Sequence, residues 1–193
     1  MRNFKAGFTL TELMVAAAAS IILCGVTLGG LIVLQQMSQQ MDERLVQEAE
    51  LQRALRFIAG DIKEGKRIEA GAPALSGYNG LFQIILPDED EPKIGYYSRA
   101  RGTRVWAGPQ IIYRKDSRET RPYALIDQIA TVSEIGVSPS EFCPGSGPLA
   151  SGDAGFMVRL DSPSTARVCL LGHLSKSKTG IKASIVASTR VAP

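Results

Sequence analysis

Between residues 8 and 34 the only ionisable side chains are Glu12 and Cys24. A carboxylate within an apolar segment costs roughly 2.5–3.5 kcal/mol on membrane-insertion scales, and such a group ordinarily persists because it meets a partner. Glu12 is therefore the first residue to which chemistry can be assigned: an electrostatic contact made in low dielectric. The alternative is a side chain that snorkels to the headgroups. Catalytic candidates are scarce. His173 is the one histidine, and a catalytic histidine needs a nucleophile and an orienting acid. No His-Glu-x-x-His, Walker A, Cys-x-x-Cys or Gly-x-Ser-x-Gly pattern occurs. The sequence therefore predicts no enzyme, no metal site and no cofactor.

Two charged stretches come next. Asp88, Glu89, Asp90 and Glu91 lie between Pro87 and Pro92. Four carboxylates could hold Ca²⁺, but adjacent positions rarely converge on one ion, and a solvated loop is the plainer reading. From residue 93 to 121 there are eight basic residues, among them Arg99, Arg101 and Arg104, against Asp116 and Glu119, with Tyr96, Tyr97 and Trp106 interleaved. Such a stretch suits a nucleic acid or an anionic polysaccharide; a solvated hairpin face is the alternative. Net charge is only +3, which argues against a chain built mainly to grip nucleic acid.

These residues need elements to position them. The chain has 193 residues, 45% hydrophobic and 21% charged, so general disorder is excluded. Residues 13–34 carry no charge; as a helix they span about 33 Å, enough for a hydrocarbon core of about 30 Å. Arg2 and Lys5 precede this segment without an acid. The positive-inside rule then places the N-terminus in the cytoplasm and the remainder outside. Gly25 and Gly29 form a Gly-x-x-x-Gly pair that lets helices approach closely, although glycine is also generally common in membrane helices.

An apolar stripe continues through Leu34, Met37, Met41, Leu45 and Ala49, then Leu51, Leu55, Ile58 and Ile62. It predicts an amphipathic helix over 35–65 with one side against a globular domain, ending near Gly60 and Gly65. Short β runs follow over 81–86, 94–98, 110–114, 123–129, 131–137, 156–160, 166–171 and 182–188. One long helix followed by antiparallel strands is an α+β order. Cys143 and Cys169 fall in the exported part, where an oxidising compartment permits a disulfide; two reduced core cysteines are the alternative. A bridge would close a loop worth roughly 3–4 kcal/mol on chain-entropy grounds. Cys24 reads as a small apolar side chain.

Gly7, Phe8, Thr9, Leu10 and Glu12, followed by the apolar run, resemble the prepilin signature of type IV pilins and type II secretion pseudopilins. The resemblance implies a leader over 1–7, cleavage between Gly7 and Phe8 by a prepilin peptidase, and N-methylation of Phe8. It implies that residues 8–34 form a transmembrane and filament-core helix, that 35–65 continue it, and that 66–193 form a β-rich extracytoplasmic domain on which the helix packs. Cleavage would create an α-amine at Phe8, four helical steps from Glu12, or about 6 Å along the axis. A neighbouring subunit shifted by that amount would set its amine against the carboxylate and fix the register. Many pilins carry a proline in this helix; here Gly25, Gly29 and Gly30 could supply local bending instead.

The run from Leu51 to Ile62, Arg-rich and ending in Asp61-Ile62, is similar to the PilW/GspJ-like group of minor pilins and pseudopilins. The function implied is a structural subunit that initiates or caps a type IV pilus or secretion pseudopilus. The alternatives are a major pilin of the shaft and a tip pilin that binds DNA or polysaccharide. Implied partners are other pilins, the prepilin peptidase and, indirectly, an inner-membrane platform protein and assembly ATPase. The implied location is the inner membrane as a single-pass protein, then the filament.

Overall fold

The structure, a computed structural model, describes residues 9–88, 90–100, 110–130, 138–145, 149–151, 155–174 and 177–190. Gly7, Phe8, Arg101, Arg104 and the strand predicted over 131–137 lie outside the described residues. Two compact units are present, Met1–Asp42 and Glu43–Pro193.

A single helix, α1 (Leu10–Glu64), contributes to both units. Thr9 caps its start: the Glu12 amide donates to Thr9 Oγ1 (3.4 Å), while the Thr9 amide donates to Glu12 Oε2 (2.9 Å). This reciprocal pair is a capping box, which satisfies two orphan amides of the first turn. Within the first unit the helix is exposed throughout, apolar to Leu34 apart from Glu12 and a few hydroxyls and mostly polar from Gln35 on. Gly60 does not end the helix as its type suggested. The stop comes at Gly65, whose amide donates to Asp61 O and Ile62 O. Gly65 is needed there for close approach, since a Cβ would collide with Ile84 of the sheet.

Among the described residues nine antiparallel strands follow: β1 (Arg67–Ala70), β2 (Asn79–Ile85), β3 (Lys93–Ala100), β4 (Gln110–Asp116), β5 (Tyr123–Ile129), β6 (Leu149–Ser151), β7 (Phe156–Ser162), β8 (Thr165–Leu174) and β9 (Ser177–Ser188). Their order is β1-β2-β3-β4-β5-β8-β7-β6, with β9 on the other side of β8. The β1–β5 meander therefore joins the β6–β9 group through β5 and β8, where Ile129 pairs with Gly172. Seven strands overlap predicted runs. β1 and β6 were not foreseen, nor was the single-turn helix α2 (Pro139–Phe142).

Alternation along β7 and β8 builds two cores, because successive side chains face opposite sides of a sheet. Phe156, Val158, Val168 and Leu170 join Leu51, Leu55, Ile58 and Ile62 of α1 in the larger one. Phe82 stacks on Tyr96 there at 4.8 Å between ring centres. Met157, Cys169 and Leu171 face the other way, with Phe142 and Cys143. The stripe on α1 divides accordingly. Leu51, Leu55, Ile58 and Ile62 are fully buried, whereas Leu34, Met37, Met41 and Leu45 are exposed. The sequence predicted cover for both parts; burial begins only at Gln47. At Gly172 of β8 a Cβ would lie 2.8 Å from Gln47 Cγ and 2.9 Å from Leu51 Cδ1, so the missing side chain lets α1 approach the strand.

Candidate functional site: an uncovered helix and its pin to the sheet

The first unit carries the apolar surface. Its helix is long and apolar enough to cross a membrane, and its most apolar window is wholly unburied. Hydroxyls within it are satisfied locally: Ser20 Oγ donates to Ala16 O (2.8 Å) and Thr27 Oγ1 to Leu23 O (3.0 Å). Such back-bonding is what a lipid-facing helix requires of its polar groups. Glu12 is exposed and bonded to Thr9 through both its amide and its hydroxyl. A Cβ added at Gly25, Gly29 or Gly30 would meet nothing within 4 Å. No packing within the chain therefore calls for glycine at these positions.

In the second unit α1 is fastened by charge as well as by apolar contact. Asp61, buried on the helix, accepts a hydrogen bond from the Tyr96 hydroxyl of β3. It also accepts from Arg114 of β4, at 2.6 Å to Nε and 3.3 Å to Nη2. The Arg114 guanidinium in turn lies 5.7 Å from the rings of both Phe57 and Tyr123, which pack edge to face. Fork-shaped pairing and stacking on aromatic faces suit arginine rather than lysine. Burial acts to lower the Arg114 pKa, but hydrogen bonding and the charge of Asp61 outweigh it and hold the guanidinium above its ordinary value.

Burial, followed by the Asp61 charge, pushes the Tyr96 hydroxyl well above its usual range. A group raised on folding contributes stability in full below its unfolded pKa, about 10 for tyrosine, and loses it as pH climbs towards the folded value. Burial shifts Tyr97 and Tyr123 in the same direction. The Tm should therefore decline above about pH 10, and Tyr96→Phe should flatten that decline. Parallel alkaline slopes in the two proteins, followed by thermal melts with tyrosine ionisation monitored, would exclude Tyr96 as the source.

No family model, curated protein or solved structure matches this chain.

Among the described residues the remaining charges that pair are taken up in separate pairs. Arg114 is committed to Asp61, and Arg118 to Asp116 at 2.8 Å. Arg99 lies over the Tyr78 ring at 5.2 Å, with Tyr113 edge-on to the same ring. Of the predicted ligand patch, only this residue falls within the described part. The acidic loop is the turn between β2 and β3, where Glu91 pairs with Lys66 (3.3 Å) and Asp88 with Arg118 (3.7 Å). Among the described residues no three His, Cys, Asp or Glu side chains gather as a metal would need. Cys143 and Cys169 form a disulfide, with Cα atoms 5.7 Å apart. It ties the segment after α2 to β8, and buried Arg159 donates from Nε to Cys143 O at 3.0 Å.

Sequence reasoning missed the Asp61–Arg114–Tyr96 contact. Its members lie 53 and 35 positions apart. Asp61 falls among buried helix positions, and a charge on an apolar face was the available signal.

Proposed function

We propose that the chain is a minor pilin or pseudopilin, a structural subunit that helps to initiate or cap a type IV pilus or secretion pseudopilus. Prepilin peptidase cuts between Gly7 and Phe8 and methylates Phe8, and Glu12 then takes the α-amine of a neighbouring subunit. The observation that carries this reading is the uncovered apolar helix with one carboxylate at its start, continuous with a helix pinned to a disulfide-bonded antiparallel sheet. A domain needing only an anchor could cap its helix with Thr9 alone, without placing a carboxylate in the apolar segment. In this reading the first unit lies in the inner membrane, the second outside it, and both enter the filament with other pilins.

The test is the intact mass of the protein from membranes of cells containing the peptidase. Loss of residues 1–7 with gain of one methyl group is expected, and a chain still beginning at Met1 would overturn the proposal. Glu12→Ala should be processed normally yet fail to enter filaments; normal incorporation would remove Glu12 from the register contact. Abundance in sheared filaments separates a minor pilin, present in trace, from a shaft subunit.

A further inference from the structure

The outer face of the β7–β8–β9 group sets two arginines side by side. Arg159 of β7 stands directly across the ladder from Arg167 of β8, and Val186 of β9 is the next residue in the same row. Neighbours in such a row share one face with Cβ atoms roughly 4.5–5.5 Å apart, and like charges placed there repel. Arg159 is buried and held by its Nε bond to Cys143 O. Arg167 is half-buried, yet its Nε is shut off from water and has no hydrogen-bond partner. Among the described residues Arg167 joins no ion pair. An enclosed guanidinium N–H without an acceptor costs free energy and calls for an explanation.

The surroundings define what would satisfy it. The acid brought beside the pair is Asp161: a Cβ at Gly145 would lie 2.5 Å from Arg159 Cδ and 3.4 Å from Asp161 Oδ1. Two guanidinium groups and one carboxylate leave a single positive charge, the complement of a carboxylate rather than of a phosphate dianion. The fork of a guanidinium also fits the two oxygens of a carboxylate. Val186, 49% exposed, provides an apolar wall on the other side of Arg167 from Arg159. We propose that Arg167, with Arg159 beside it, is a binding site for a carboxylate carried on an apolar stem. Because the Nε is enclosed in the free protein, binding turns the guanidinium so that this edge meets the ligand, while the stem lies on Val186. A cation kept without a partner in the free protein is the kind of broken local rule that functional sites carry. The site does not depend on the filament reading.

The test titrates the isotope-labelled full-length chain in detergent and follows the Arg167 Nε–H signal by NMR. Butanoate is one titrant; the acetylated amide of glutamate, which presents its carboxylate as a protein side chain does, is the other. A saturable shift is expected with a Kd below about 1 mM, and the tighter titrant tells whether the site takes a free acid or the side chain of another protein. Arg167→Lys keeps the charge but lacks the fork, and should weaken binding roughly tenfold, read from the Val186 amide. Arg121→Gln, an exposed arginine between β4 and β5, should leave the affinity unchanged. Melting gives a second readout. Saturating carboxylate should raise the Tm of the wild type but not of Arg167→Gln, and without carboxylate that variant should melt no lower than the wild type. Weak, non-saturating shifts with both titrants, or unchanged affinity in Arg167→Lys, overturn the inference. So does an Arg167→Gln that melts lower on its own, since the arginine is then kept for its packing.

Discussion

Arg114→Met lowers the stability of the domain by roughly 3–5 kcal/mol, and its Tm by about 10 °C for a chain of this size. The loss comes less from the attraction removed than from what remains. Asp61 is left buried with a hydrogen bond from the neutral Tyr96 hydroxyl but without its cation, and the gap between Phe57 and Tyr123 loses the cation that filled it. Two comparisons isolate the cause. Lys66→Met removes a cation from Glu91, but both members of that pair are exposed, so its midpoint should barely move. Adding Asp61→Asn to Arg114→Met should restore much of the loss, because an uncharged amide tolerates burial better than a lone carboxylate. Urea unfolding in detergent measures all three. Equal midpoints for the Arg114 and Lys66 variants would sink the idea that charge pins the helix.

The second large effect concerns the disulfide. Replacing Cys143 and Cys169 together by Ala should cost about 3.5 kcal/mol, as expected for a closed loop of this length, with sequence separation 26. Reductant should bring the wild type to nearly the same midpoint while leaving the Ala pair unchanged. Both sulfurs are fully buried, so the wild type should respond to reductant only slowly under native conditions. A wild type whose stability ignores complete reduction would mean that packing of Phe142, Met157 and Leu171, not the bond, holds this region.

The parts of the fold legible in the sequence are those with local signals. The uncharged run 13–34 and the spacing of Leu51, Leu55, Ile58 and Ile62 marked α1. Alternating β-branched and aromatic residues marked seven strands. Burial on both sides left less to read elsewhere. β6 is Leu-Ala-Ser, too short to carry a period, and β1 offers Ile68 as its one buried residue. The stripe through Met37, Met41 and Leu45 has the spacing of a covered helix face but is exposed. Periodicity reports that a face is apolar, not what lies against it. Asp61 and Arg114 each looked like ordinary surface charges, since nothing local in a sequence joins residues on different elements.

The exposed stretch of α1 before Gln47 also has an elastic consequence. Residues 35–46 are mostly Gln, Met, Glu, Arg and Leu, with the weaker formers Ser38, Asp42 and Val46 among them and no Gly or Pro, so they remain helical by propagation from the turns on either side. Tertiary contact adds little there, because all but Glu43 are exposed. Helices held by propensity alone are marginal in water, which makes this run the softest part of α1 outside a membrane. A helical residue advances 1.5 Å and an extended one roughly 3.3–3.6 Å. Tension along the helix would therefore be relieved first by melting here, at about 2 Å of added length per residue, while the turns carrying Leu51 and Asp61 hold.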